Sequence, residues 1–316
     1  MFRLITFGYV LLAVIVIGAG CETKTDQTTA PPQPDAAVFA TSSGSVVIKE
    51  TPYDADAFLD PKALALIRRS ESRQLSAVSC KLGTIRAGIV NHHTLAADLQ
   101  WDFFATLAHC RPKVDRLIIV SPDHFRASSA IFTTTRRAYQ SRGIVVSSDN
   151  GGIDRLMQSV PSSLVSDEPF IREHGIGALV PFLVATQNEN ASSSRIRILP
   201  IIVNPTITKE EAIAFAGWLK NEMTGGTFVV ISSDMSHYLA KDAALANDQT
   251  TERALAQSDQ TFFWRATDDF TDSGRSIWML IQAAGKTTWR ETAHKISTDY
   301  GTSPQSTTSY LTGFWE

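Results

Sequence analysis

The chain has 316 residues, 43% of them apolar, and a formal net charge of −3. That length and apolar content can bury one large core. The near-neutral balance, with acidic and basic residues interspersed, excludes the strong basic field that nucleic-acid binding needs.

Residues 1–20, MFRLITFGYVLLAVIVIGAG, place an arginine before an apolar run that is followed directly by Cys21. A run of roughly 17 apolar residues is short for a full membrane span and suits a secretory signal. Gly18, Ala19 and Gly20 before Cys21 resemble a bacterial lipobox, although Gly18 stands where such boxes usually carry Leu. The expectation is a cleaved signal and a lipid-bearing Cys21; the alternative is an uncleaved anchor. Either places the remainder outside the cytoplasm, tethered to a membrane. In such a compartment Cys80 and Cys110 are free to form disulfides, and whether they pair stays open.

Residues 22–45 are rich in Pro, Thr and Ser and read as a flexible tether, followed by a lead-in helix over 54–72 interrupted at Pro61. The expected organisation is a signal over 1–20, lipidated cysteine, tether and lead-in helix over 21–75, and a folded domain over 76–316. Within that domain strands and helices alternate. GTIRAGIV (83–90) reads as a strand, and residues 94–110 as a helix with Leu95, Leu99, Phe103 and Leu107 on one face. VDRLIIVS (114–121) is a buried strand. Residues 173–187 form a helix that Pro181 should kink or split. Residues 194–203 are a strand. A helix over 208–223 opens on Thr208 and Glu211, spaced as a capping box. TFVVIS (227–232) is a strand, and residues 241–257 and 273–286 are helices. The order predicts a single three-layer α/β domain, with a mainly parallel central sheet and helices on both faces.

Three of those strands end alike: Asn91-His92-His93, Asp123-His124-Phe125, and Ser233-Asp234-Met235-Ser236-His237. Parallel strands bring their C-terminal loops to one edge, where α/β sheets bind ligands. Four of the seven histidines then meet there, and His174 joins them from the start of a helix. Imidazole is a common transition-metal ligand, and Asp123, Glu173 and Asp234 are placed to complete a shell or to hold a ring by its second nitrogen. His109 and His294 lack that context and read as structural or surface residues. Arg275, opening a late helix, fits equally a structural ion pair or a clamp for a substrate anion. Asp234, Ser236 and His237 have the residue types of a serine triad, but they crowd into four positions and no G-x-S-x-G elbow is present. A metal-bound water is the other hydrolytic route.

With these segments in view, the chain resembles the Memo family, known in bacteria as AmmeMemoRadiSam system protein B. The resemblance rests on VNHHTLA (90–96), VSPDHF (120–125), REHGIGALVPFL (172–183), SSDMSHY (232–238) and SGR (273–275), in order. It implies a fold similar to class III extradiol dioxygenases, with a metal pocket at the strand ends. By motif, the family's metal-site histidines fall on His92 and His124, a further pocket histidine on His174, and the Cys or Ser of the last motif on Ser236. Members have been associated with iron or copper. The chain departs from the family pattern where His93 replaces a Gly-Tyr, around Gly177 where a second Glu is expected, and at Ser236, a far weaker ligand than thiolate. A hydroxyl in place of sulfur disfavours copper(I) and tight zinc binding and makes iron(II) the first choice of divalent ion, with copper or zinc as alternatives. The third ligand is open among His174, His237, Glu173 and Asp234. The expected function is a metal-dependent, dioxygenase-like redox enzyme acting on a small molecule, with His237, His174 or Asp234 moving protons. The alternative is a binding lipoprotein without turnover.

Overall fold

The computed structural model describes residues 38–40, 46–48, 50–69, 85–187 and 196–316. The signal segment, Cys21 and Cys80 lie outside the described residues. Among the described residues no helix is long and apolar enough to cross a membrane. Within the stretch read as a tether and lead-in, β1 (Val38–Ala40) and β2 (Val46–Ile48) pair antiparallel.

β3 (Tyr53–Asp54) and α1 (Pro61–Arg69) follow, Pro61 opening the helix at the position where its missing N–H costs nothing. Tyr53, Ala63 and Ile67 are fully packed into the core, so the folded unit reaches back past residue 76 to Tyr53. Then come β4 (Ala87–Val90), α2 (Ala97–Cys110) and β5 (Arg116–Pro122), close to the positions read from the sequence. Cys110, closing α2, is disulfide-bonded. The next stretch was not anticipated: β6 (Phe132–Thr134), β7 (Tyr139–Ser141), β8 (Ile144–Val146), α3 (Asn150–Ser159), β9 (Ser163–Val165) and α4 (Glu168–Arg172). Pro181 splits the following helix into α5 (His174–Gly177) and α6 (Val180–Thr186), with the proline in the first turn of the second piece. β10 (Arg197–Val203), α7 (Lys209–Glu222), β11 (Thr227–Ser232), α8 (Lys241–Gln257), α9 (Gln260–Arg265) and α10 (Gly274–Ala284) precede a closing pair, β12 (Trp289–Ile296) and β13 (Ser309–Trp315). The α7 capping box forms as the sequence requires: Glu211 N donates to Thr208 Oγ1, and Thr208 N donates to Glu211 Oε2.

The main sheet has the order β12-β13-β4-β11-β5-β10-β6-β9. Its centre, β4-β11-β5-β10, is parallel. β13 adds antiparallel to β4 and β12 to β13, while β6 adds antiparallel to β10. The central strands are buried on both faces, which is why they read as continuous apolar runs rather than alternating ones. In β5, Leu117 and Ile119 face the core under α2 and α6, whereas Ile118 and Val120 face the core under α7 and α10. Phe215 and Trp218 belong to that second core. Gly88 is required in β4, because a Cβ there would lie 2.6 Å from the Phe103 ring and 2.8 Å from the Gly313 carbonyl. Registers of Val90 with Ser232 and of Ile231 with Val120 bring the C-terminal ends of β4, β11 and β5 level at one edge.

Candidate metal centre at the strand ends

Three imidazoles converge at that edge. His92 leaves β4, His124 leaves β5, and His174 opens α5. Ring centroids are 4.7 Å apart for His92 and His124, 5.1 Å for His92 and His174, and 4.4 Å for His124 and His174. One nitrogen from each ring lies within 4.8 Å of the others. The loops that deliver them are pinned from inside. Asn91 is buried and donates to the carbonyls of His93 and Ala96, and Asp234 Oδ1 accepts from the backbone N–H of His92 at 3.1 Å and of His93 at 3.4 Å. Glu173, also buried, caps α5 through Gly175 N at 2.8 Å and takes His124 N at 3.0 Å.

The hydrogen bonds fix which ring nitrogens face inward. Ser232 Oγ donates its single proton to Gly175 O, so its 3.0 Å contact with His92 Nδ1 requires that nitrogen to be the donor. Neutral His92 therefore carries its lone pair on Nε2. His124 Nδ1 donates to Glu173 Oε1 at 2.7 Å, directing its buried Nε2 into the cluster, 3.5 Å from Asp272 Oδ2. Rings oriented through one nitrogen by a hydroxyl or carboxylate, with the other nitrogen aimed at a common point, are the arrangement a bound cation uses. The three histidines fit a divalent metal.

The surroundings set the charges. Burial holds His92 well below the usual imidazole range. Burial and the neighbouring His124 charge bring His174 down to about 4. Burial also opposes protonation of His124, but hydrogen bonds to Asp272 and Glu173 outweigh it and raise the ring to about 11. Asp234 is pushed up to about 7 by burial and by the charge of Asp272. Burial should raise Asp272 too, yet the facing rings of His92, His124 and His237 hold it below the usual carboxylate range.

Asp272 is the residue that sequence reasoning missed. It precedes α10, and its Oδ2 lies 3.3 Å from His92 Nε2, 3.5 Å from His124 Nε2 and 3.8 Å from His237 Nε2. Its position directly before the SGR segment was the available signal.

Other expectations resolve individually. Asp123 does not join the cluster; its carboxylate accepts from Ala127 N and Ser128 N and so shapes its own turn. Ser236 turns its hydroxyl to Asp248 Oδ1 at 2.7 Å and to Ala244 O, and to none of the imidazoles. Asp248 also binds Ser309 Oγ and, at 2.9 Å, His294 Nε2, which makes His294 structural. With Ser236 on Asp248 and His237 beside Asp272, no serine triad forms. Arg275 donates to the carbonyls of Trp264 and Pro205 and stacks on the Trp264 ring, so it ties α9 and α10 together. His93 contacts the hydroxyl of buried Tyr310 at 2.7 Å.

The pocket is closed on one side and open on the other. The His92 side chain is 2% exposed and that of His174 38%. Exposed Phe125 stands beside His174, and exposed Tyr238 beside His237. Asp272 also borders a cleft of about 140 Å³ lined by Pro122, Asn204, Thr271 and Arg275.

A family model described as Memo-like protein matches residues 82–314, which includes the site residues named above. The chain belongs to the Memo-like family. A MEMO1 family protein of Caldivirga maquilingensis is 23% identical over 237 residues, 74% of this chain and 78% of that protein. A second, from Methanococcus maripaludis, is 23% identical over 191 residues, 60% of this chain and 63% of its own length. The crystal structure of the Escherichia coli K12 protein JW3007, described as uncharacterized, superposes with a TM-score of 0.51 at 11% identity, covering 72% of this chain and 99% of that one. At that identity the likeness concerns the fold alone. This Memo-like chain thus keeps the family's α/β scaffold and gathers three histidines that could hold a metal.

Proposed function

We propose that this Memo-like protein binds a divalent metal, iron(II) first, through His92, His124 and His174, and uses it for redox chemistry on a small substrate at a membrane surface. The observation that carries the reading is the fixed orientation of His92 and His124, whose Nδ1 atoms are held by Ser232 and Glu173, in a cluster where each of the three rings brings a nitrogen within 4.8 Å of the others. Imidazole and carboxylate donors suit iron(II), zinc or copper(II) and disfavour copper(I). A bound ion of this kind supplies Lewis acidity and, for iron, one-electron chemistry with dioxygen.

The remaining work falls to the chain. His174, Phe125 and Tyr238 rim the open side, where a small aromatic or hydroxylated substrate can enter. Asp234, 3.6 Å from His92 Nε2, and His237, beside Asp272 with its Nδ1 buried and unpaired, are the side chains placed to move a proton. Ser232 and Gly175 close the inner side against water.

A second reading, binding without turnover, is favoured by Gly177. The face where the family motif carries a second Glu is filled by the Phe58 ring, 2.4 Å from where a Cβ would sit. A metal-loaded protein that takes up no oxygen with catechol-like compounds supports that reading. The primary test is elemental analysis of wild type, His92→Ala and His124→Ala: stoichiometric metal in the first and little in the variants is expected, and equal content in all three refutes the site. Membrane tethering is tested separately. Cys21→Ser should move the chain from the detergent phase to the aqueous phase, and the disulfide at Cys110 is consistent with an oxidising compartment.

A further inference from the structure

We propose that Asp272 is the anionic donor of this centre, which makes it a site of three imidazoles and one carboxylate; the inference rests on the metal-binding reading above. Asp272 reaches the pocket from the loop before α10, where the family motifs quoted from the sequence assign no ligand. Its two oxygens are differently employed. Oδ1 accepts from Ser233 Oγ at 3.0 Å and lies 3.0 Å from Ser273 Oγ, whose proton it shares with Ser232 O at 2.8 Å, and Ser233 is itself bonded to Thr271 at 2.7 Å. That pair of hydroxyls orients the carboxylate. Oδ2 takes a long hydrogen bond from Asp234 N at 3.4 Å and faces His92 Nε2 at 3.3 Å, His124 Nε2 at 3.5 Å and His237 Nε2 at 3.8 Å. The first two of these ring nitrogens are the ones that the Ser232 and Glu173 hydrogen bonds aim inward.

The separations fit shared coordination. Two donors each about 2.1 Å from one tetrahedral ion stand about 3.4 Å apart. A carboxylate held by neighbouring hydroxyls through one oxygen, with the other turned toward the imidazoles, is how ligating carboxylates are supported. Asp234 is the competing acid, and its geometry is poorer. Its Oδ1 is committed to the backbone of His92 and His93, and its Oδ2 lies 3.6 Å from His92 alone. Ser236, the position suggested by motif, is turned to Asp248. A hard oxygen donor in place of sulfur selects divalent ions of intermediate hardness over copper(I).

The experiment uses the purified chain, titrated with Co(II) and followed by visible and near-ultraviolet absorption, with circular dichroism checking the fold of each variant. Wild type should bind Co(II) with a d–d spectrum of mixed nitrogen and oxygen ligation. Asp272→Asn, nearly isosteric, should lose about 100-fold in affinity or more, above the usual loss for an outer-sphere partner. Asp272→Cys places a thiolate at the same point and should show a new thiolate-to-cobalt charge-transfer band, which a counter-ion role cannot produce. Wild-type affinity in Asp272→Asn, or a Co(II)-loaded Asp272→Cys without that band, overturns this inference and leaves the three-imidazole site standing. A wild-type chain that takes up no Co(II) overturns both.

Discussion

Replacing Glu173 by Gln tests the support of the centre without touching an imidazole. The carboxylate receives three N–H donors: Oε1 takes His124 Nδ1 at 2.7 Å and Gly175 N at 2.8 Å, and Oε2 takes His124 N at 3.0 Å. An amide has one acceptor oxygen, so either orientation of Gln turns its NH₂ against at least one of these donors. A buried donor left without a partner costs about 1–3 kcal/mol. The same change relieves the desolvation of a buried carboxylate, which places the folding loss near the lower end, about 1 kcal/mol. The larger effect is on the ion. His124 loses the partner that fixes its tautomer and ring plane, and such losses weaken metal binding about 10- to 100-fold. Competition titration with a chromophoric chelator and a urea melt measure the two quantities on the same sample. Unchanged affinity with a stability loss of several kcal/mol refutes the reasoning, because Glu173 is then a structural cap and nothing more.

Three further outcomes are expected. His294 titrates higher in the folded protein than the usual 6.5, because its bond to Asp248 outweighs burial, which alone would lower it. Its contribution is therefore complete below about pH 6.5 and is lost as pH rises through the raised folded value, so the urea-midpoint gap between wild type and His294→Gln should narrow with rising pH; a widening gap contradicts the assignment. Gly88→Ala should cost about 1–3 kcal/mol in a thermal melt, since the Phe103 ring and the Gly313 carbonyl flank the added methyl, and a neutral result would show that β4 and β13 can separate freely. Gly175→Ala places its Cβ 2.0 Å from Ser121 Oγ, so Co(II) affinity should fall, with partial rescue by adding Ser121→Ala; purely additive effects would exclude the contact.

The strand ends were legible because each combines an unbroken apolar run with an immediate imidazole or carboxylate, a pattern that survives without knowledge of tertiary contacts. The parallel order of β4, β11 and β5 then follows from the alternation of strands with helices. Asp272 was marked in the sequence only by its place before the SGR segment. It lies in a loop that also carries Asp268 and Asp269, and only the docking of α10 against the sheet singles it out. Ser236 misled for the opposite reason. Its neighbours in sequence belong to the site, but β13 holds the backbone there, through Ser309 N to Ser236 O and Met235 N to Ser309 O, and the side chain points to α8. The closing strands were missed on pattern. β12, WRETAHKI, is a mostly polar edge strand without an apolar alternation, and β13, SYLTGFW, is buried throughout because its two faces enter the two cores, Phe314 in one and Leu311 and Trp315 in the other.

The separation of the site into a closed and an open half follows from how its parts arrive. The inner wall comes from the parallel core, where Ser232 on β11 and Ser121 on β5 are fully buried and Gly175 packs against both. Only a residue without a side chain permits that approach, and it places His174 at the start of α5 over the other two rings. The outer wall comes from loops, and it is there that Phe125, His174 and Tyr238 are accessible. Neutral His92, closed off from water, could take a cation without first losing a proton, whereas the ring nearest solvent is the one positioned to meet an incoming ligand. A ligand that reaches the centre must then pass His174 before it meets His92, so substitutions at Phe125 or Tyr238 should alter ligand entry while leaving the inner donors in place.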